Sequence, residues 1–309
     1  MKTNMISMSI TGILLFVYLG SLLNGERTSM LKSPELTGDY FGQQLPNEKP
    51  EIFAPGIIST ESVEYGGTFS PDGEEFFFTR KNMENKTNNR IFFSKRTNGT
   101  WSEPRPTSIS NNHSEFEPHI SPNGKILYFA STRKKPISFR RKGEIWKVEK
   151  KDSGWTKPVY LKSVINNYFG RSVTSTTDGT LYFTAYVNNI YGIYRSKNIN
   201  NIQQEPELLP LEINYLVGLT HPFISPDEKF LLFESYQEGS NCSCLYISFR
   251  NEQGDWSLAE KLGPKINATA TETCPSISPD GKFLFFSREG NIYWVSTDVI
   301  KKSENSDFL

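Results

Sequence analysis

Short apolar runs recur along the chain with little internal alternation: Phe76-Phe77-Phe78, Ile126 to Phe129, Phe230 to Phe233 and Phe283 to Phe286. Runs this short read as strands, and a strand loses its polar-apolar alternation when both faces of its sheet are covered. A polar turn stands before each of them. FSPDGEEFFFTR (from Phe69), ISPNGKILYFAS (from Ile120), STTDGTLYFTA (from Ser175), ISPDEKFLLFES (from Ile224) and ISPDGKFLFFSR (from Ile277) share one pattern. Their turn residues Asp72, Asn123, Asp178, Asp227 and Asp280 lie 51, 55, 49 and 53 positions apart. Pro presets φ, Asp or Asn bonds locally and Gly takes the strained exit, so each turn reverses the chain between two strands. The third unit has Thr176-Thr177 in place of Ser-Pro, and the fourth has Glu228 in place of Gly.

A third strand follows in every unit (Ile91-Phe92-Phe93, Ile145-Trp146, Ile193-Tyr194, Leu245-Tyr246-Ile247, Ile292 to Val295). A fourth is marked in three units by a turn and a Trp, in NGTWSEP, SGWTKP and GDWSLAE, with Trp101, Trp155 and Trp256 expected to pack rather than to present a sugar platform. Four strands repeated about every fifty residues are the blades of a β-propeller. The fifth unit stops after its third strand, near Val299, while residues 50–59 (PEIFAPGIIS) resemble a fourth strand ahead of the first unit. The pattern therefore predicts an all-β, five-bladed propeller of four-stranded antiparallel blades, closed by the N-terminal strand. A sixth blade is disfavoured, because residues 26–49 are too short and too polar to supply it.

The chain begins with Lys2 and an apolar run from about Ile6 to Leu23, the layout of a secretory leader or a membrane anchor. The expected organisation is 1–25 signal peptide or anchor, 26–49 linker, 50–299 a single propeller and 300–309 a polar tail, exported to a periplasm, a cell surface or the extracellular space. Lys+Arg and Asp+Glu both number 34, so no bulk positive field exists to hold nucleic acid. The three cysteines make neither a disulfide framework nor a zinc set. Five Asn-x-Ser/Thr sequons (Asn85, Asn98, Asn112, Asn241, Asn267) matter only in a eukaryotic host.

The Ser-Pro-Asp-Gly-Lys turn followed by Phe-Leu-Phe-Phe-Ser resembles the WD40-like propeller repeats of the TolB type and of the propeller halves of prolyl-oligopeptidase-type enzymes, over about residues 50–299. The resemblance implies a propeller and a periplasmic setting; what its members share is a turn and a core strand. No Gly-x-Ser-x-Gly nucleophile elbow occurs, so the peptidase relatives contribute only their propeller. No Walker A loop and no His-Glu-x-x-His is present. His221-Pro222-Phe223-Ile224-Ser225-Pro226-Asp227 also resembles the repeats of oligogalacturonate lyases, which bind a metal through channel histidines. Here no other unit has His at the position of His221, so no metal and no cofactor is expected.

Counting six to eight residues back from each turn residue reaches the mouth of the central channel, where one ligand can meet a side chain from every blade. That count gives Glu64 with Tyr65, Glu115 with Glu117, Arg171 with Ser172, His221, and Glu272 with Cys274. The ring of acids with one Arg and one His reads either as a polar mouth for a sugar, peptide or cation or as strand-end caps bonded to neighbouring blades. The expected function is a non-catalytic, monomeric binding or scaffold module that takes a protein partner or a carbohydrate on a propeller face. The alternative is a carbohydrate-active lyase or glycosidase using paired carboxylates, Glu115 with Glu117 or Glu64 with Glu272.

Overall fold

Each of the five turns closes a hairpin in the structure, a computed structural model that describes residues 36–81, 89–109, 113–133, 144–161, 164–168, 170–236 and 242–301. The first turn shows the chemistry. Ser70 Oγ–H donates to Asp72 at 2.5 Å and accepts the Glu75 amide at 2.8 Å, while Gly73 N–H closes on the Ser70 carbonyl at 2.8 Å. Gly73, Gly124, Gly179 and Gly281 all take left-handed φ at the turn exit, and Glu228 does so in the fourth unit.

The blades are four-stranded and antiparallel, running outward from the channel. The first holds Val63–Phe69, Glu75–Lys81, Asn89–Thr97 and Arg105–Pro106; the second Glu115–Ile120, Ile126–Ser131, Glu144–Lys151 and Val159–Tyr160. The third holds Arg171–Ser175, Leu181–Val187, Ile190–Ser196 and Glu207–Leu208; the fourth Val217–Ile224, Phe230–Tyr236, Ser243–Phe249 and Glu260–Lys261. The fifth takes Thr273–Ile277, Phe283–Arg288 and Asn291–Ser296 from the C-terminal part and Glu51–Ile52 from the N-terminal part, with Glu51 opposite Trp294. The ring is thus closed as expected, which removes an open sheet edge.

Five apolar clusters fill the five seams between blades, and they explain the missing alternation. Phe76 and Phe78 face the seam with blade five, whereas Phe77 between them faces the seam with blade two. Leu231 and Phe233 pack toward blade three and Leu232 toward blade five. Trp155 of blade two stands edge-on to Phe77 of blade one, and Trp256 of blade four edge-on to Tyr182 of blade three, so these tryptophans pack against the neighbouring blade.

Residues 36–49, expected as a linker, instead belong to the packed domain. Tyr40 and Phe41 sit in the left-handed region and turn both rings inward; Phe41 is fully buried and stacks on Trp101 at 4.3 Å. The Leu36 carbonyl receives the Trp101 amide, and Tyr40 Oη–H donates to Asp280, so this strap crosses the seam between blades one and five. The expected leader, residues 1–25, lies outside the described residues, as do 302–309 of the expected tail. Among the described residues no helix is long and apolar enough to cross a membrane.

Candidate functional site

The innermost strand of a blade has no neighbour on its channel side, and in all five blades it carries a register shift. At each shift the residue six places before the turn takes left-handed φ: Gly66, Glu117, Ser172, His221 and Cys274. Only glycine adopts this conformation freely; a residue with a side chain held there costs about 1–3 kcal/mol, and such strain gathers at functional sites. The following position is Pro118, Pro222 or Pro275 in three blades, where a residue without an N–H leaves no donor stranded on an unpaired strand edge.

These bulges project three side chains onto one another. Ser172 Oγ–H donates to Glu117 Oε2 at 2.7 Å, and His221 bridges two carboxylates, with Nε2 3.1 Å from Glu117 Oε1 and Nδ1 2.6 Å from Glu234 Oε2. Burial alone would lower the pKa of His221, but the Cys274 side chain and the Glu234 and Glu117 carboxylates outweigh it and hold the imidazole well above its ordinary value. Burial acts to raise Glu117, yet the His221 charge, the His221 and Ser172 hydrogen bonds and the Arg171 charge leave it below the usual carboxylate range. Burial, with further repulsion from Glu117 and Glu234, pushes the Cys274 thiol up.

Cys274, His221 and Glu234 are the parts of a nucleophile, a base and an orienting acid, but their protonation does not suit that chemistry. An imidazolium with both nitrogens facing carboxylates has no lone pair to take a thiol proton, and a neutral, buried thiol is a poor nucleophile. Under the ring of bulges lies a cavity of about 50 Å³, lined by Thr68, His119, Thr174, Phe223 and Ser276 among others. That is room for water, not for a sugar ring. Among the described residues no group of three or more His, Cys, Asp or Glu is placed to hold a metal ion.

The expected ring of acids divides in two. Glu117, Ser172, His221 and Cys274 come together, with Tyr65 beside them; burial first, then Glu117 and Cys274, push the Tyr65 phenol well above its ordinary pKa. Glu64, Glu115 and Glu272 are fully buried and lie elsewhere. Glu64 accepts from Arg80 Nε at 2.7 Å and from Thr60 Oγ1 at 2.7 Å; Glu272 accepts from Arg288 Nε at 3.0 Å and from Thr269 at 2.8 Å; Glu115 accepts from Arg133 at 2.7 Å. Each of these arginines also donates to backbone carbonyls of the segment entering its blade, at Ile58, Ile109 and Ile266, and lies over an aromatic ring. Of the two expected carboxylate pairs, Glu115 and Glu117 have different partners, Arg133 and His221, and Glu64 and Glu272 are each bonded to an arginine of their own blade. Arg171 is exposed at the mouth, opposite Thr184. Glu234 and Gly66 were not anticipated; the first is an acid inside the otherwise apolar run Phe230–Tyr236, the second the glycine at the bulge of blade one.

No family profile matches the sequence, and no curated protein does. The likeness found is to solved structures. A putative TolB from Agrobacterium tumefaciens shares 17% identity over 75% of this chain and 72% of its own, with a TM-score of 0.43. The catalytic domain of Coprinopsis cinerea GH62 α-L-arabinofuranosidase shares 10% over 82% and 99%, with a TM-score of 0.49. An oligogalacturonate lyase in complex with manganese shares 14% over 79% and 68%, with a TM-score of 0.41. Identities this low speak to fold alone, and the fold accommodates binding modules and enzymes equally.

Of the expected sequons, Asn85, Asn112 and Asn241 lie outside the described residues. Asn98 is exposed in a turn, whereas the Asn267 carboxamide is consumed by the backbone: Oδ1 accepts the Leu245 amide at 2.7 Å and Nδ2 donates to the Leu245 and Leu262 carbonyls. Asn166 and Asn214 make the same clamp in blades two and three.

Proposed function

We propose that the chain is an exported, non-catalytic β-propeller that binds a partner on a face of the ring. The observation that supports this reading is the hydrogen-bonded plug of Glu117, Ser172 and His221. It commits Glu117, Ser172 and His221 to one another, beside a cavity of about 50 Å³ among the described residues. An acid-base pair needs one group holding a proton and another free to take one, both facing substrate. Here Glu117, held below the usual carboxylate range, is bonded to an imidazole that is held well above its ordinary value. Export rests on the leader-like run between Ile6 and Leu23.

A carbohydrate-active enzyme is the competing reading, favoured by one observation: Glu117 and Glu234 both reach a single imidazole, which would allow a proton to pass between them if substrate displaced the plug. Incubating the purified full-length protein with acidic and neutral polysaccharides, and assaying binding and product release together, separates the two. Saturable binding without products agrees with the module; turnover that disappears in Glu117→Gln overturns it. Fractionation of expressing cells tests export, and a cytosolic protein with Met1 intact would refute it.

A further inference from the structure

The described hairpins that face the channel mouth are not alike. In blade five the connection between second and third strands is Arg288-Glu289-Gly290-Asn291, which is polar. In blade three the same hairpin presents Tyr186, Ile190 and Tyr191, and the adjoining edge of blade four presents Val217 and Tyr236, all about half exposed. Tyr186 stands opposite Tyr191 and Val217 opposite Tyr236 in their ladders. Tyr191 Oη–H donates to the Leu219 carbonyl at 2.7 Å, which ties the two blades into one surface. The Tyr236 ring lies against Gly218, where a Cβ would come within 2.7 Å of it. Isolated exposed apolar residues need no explanation, but five on one face, held in place by a hydrogen bond and a glycine seat, mark an interaction surface.

Its charge is equally specific. The guanidiniums of Arg80, Arg96, Arg133, Arg195, Arg250 and Arg288 each hold a carboxylate. Arg171, exposed on the inner strand of blade three, has no ion pair and no side-chain hydrogen bond among the described residues. It is near enough for its charge to act on Tyr191 and on Glu117. Among the described residues of these strands of blades three and four, the acid at the mouth, Glu234, is buried against His221, so the exposed guanidinium of Arg171 stands among tyrosines with no carboxylate bonded to it. Tyr and Arg are the residue types that anchor protein interfaces, and a free guanidinium among them calls for a carboxylate on the partner. Ile190 and Val217 favour a polypeptide over a sugar, which would use aromatic faces and hydrogen bonds but gain little from branched aliphatic side chains.

We propose that blades three and four form a docking surface beside the channel mouth for an acidic peptide segment of a partner protein, with Arg171 receiving a carboxylate and Tyr186, Tyr191 and Tyr236 receiving its apolar neighbours. This rests on the binding-module reading and names the partner's chemistry. The full-length protein, immobilised through a C-terminal tag, is panned with a random-peptide phage library. Enriched sequences are then synthesised and titrated by fluorescence anisotropy against the wild type, Arg171→Gln and Tyr186→Ser. Both substitutions are on exposed side chains, and unchanged melting temperatures check that the ring is intact. The expected result is enrichment of Asp or Glu beside apolar residues, with affinity falling about ten-fold or more in Arg171→Gln and for peptides carrying Asn or Gln in place of the acids. Enriched peptides without acids, equal binding to wild type and Arg171→Gln, or no enrichment would overturn the proposal. So would Arg171-dependent binding of polygalacturonate in place of peptide. None of these outcomes bears on catalysis, whereas product release from a polysaccharide would defeat the module reading itself.

Discussion

The imidazole of His221 meets the carboxylate of Glu117 at 3.1 Å, although 104 residues and a whole blade separate them. Blades two and four share no apolar seam, so this contact, with Ser172 of blade three on the other carboxylate oxygen, joins three blades through their inner strands. It forms because the left-handed bulges of blades two, three and four turn Glu117, Ser172 and His221 toward one another. The same geometry makes the plug a charged device in a site that is largely, though not wholly, shielded from water.

Its loss should be visible in stability and in pH dependence. Glu117→Gln and His221→Gln each remove a charge-assisted hydrogen bond, so urea denaturation at neutral pH should show a loss of about 1–3 kcal/mol for either. The double variant should lose less than the sum. Because the folded pKa of Glu117 lies below its ordinary 4.5, its contribution is present above pH 4.5 and fades as pH falls through the folded value. Because the folded pKa of His221 lies above its ordinary 6.5, its contribution is complete below pH 6.5 and fades as pH rises through the folded value. The difference between wild type and His221→Gln should therefore be largest between pH 4.5 and 6.5; a difference that grows above pH 8 would contradict the assignment of charges.

The second channel histidine should behave in the opposite way. His119 is buried and accepts the Ser175 amide at Nε2 at 3.0 Å, with burial pushing its pKa down to about 3. The unfolded chain takes up a proton near pH 6.5 that the folded state refuses, so His119 makes the protein less stable as pH falls from 6.5 toward 3, by at most about 1.4 kcal/mol per pH unit. Replacing it with Gln, which does not titrate, should flatten the acid limb of the stability curve. An unchanged slope would show that His119 already charges in the folded protein.

Turn chemistry and blade count were readable because Ser70-Pro71-Asp72-Gly73 and its four copies act locally, within a few residues of themselves. The position of the site was half readable. Counting back from the turns reached the mouth, but the bulge makes residues two places apart point to different environments. Glu115 and Glu117 look equivalent in sequence, yet one is clamped by Arg133 and the other faces the channel. A signal for the clamp was present: an Arg lies at or just past the end of the second strand in the three units that carry the early Glu, as Arg80, Arg133 and Arg288, while Gly170 and Leu219 replace that Glu in the other two. Tyr40-Phe41 was likewise an aromatic pair in a polar stretch, and its burial depends on a seam that brings Trp101 of blade one to Phe41 and Phe283 of blade five to Tyr40.

That seam should dominate the energetics of closure. Phe53, the residue after the closing strand, is fully buried and meets Phe41, Phe69, Phe76, Phe285 and Trp294 at ring separations of 5.0 to 6.1 Å. Phe53→Ala should cost about 3–5 kcal/mol, because the rigid ladders on both sides cannot collapse into the space. Phe41→Ala, in a short strap with more freedom to adjust, should fall at the lower end. The two rings touch, so the double variant should be less than additive. Loss of under about 1 kcal/mol in Phe53→Ala would mean that the strand pairing of Glu51 and Ile52 suffices to close the ring.

The Glu–Arg clamps allow a sharper test, because the fold contains its own control. Glu272 and Arg288 are both buried, and the arginine also binds the carbonyls of Lys265 and Ile266. Removing one partner leaves a buried charge uncompensated, so Glu272→Leu alone should cost about 3–5 kcal/mol. Blade four does without the pair: Leu219 stands in place of the Glu, and Ser235 follows Glu234 in place of the Arg. If the clamp serves only to fasten the entering segment, Glu272→Leu/Arg288→Ser should be more stable than Glu272→Leu, since the stranded guanidinium is gone and an arrangement the ring already tolerates takes its place. Chemical denaturation of the three proteins decides the point. A double variant weaker than the single one would show that the bonds from Arg288 to the backbone, rather than its pairing with Glu272, hold that segment to blade five.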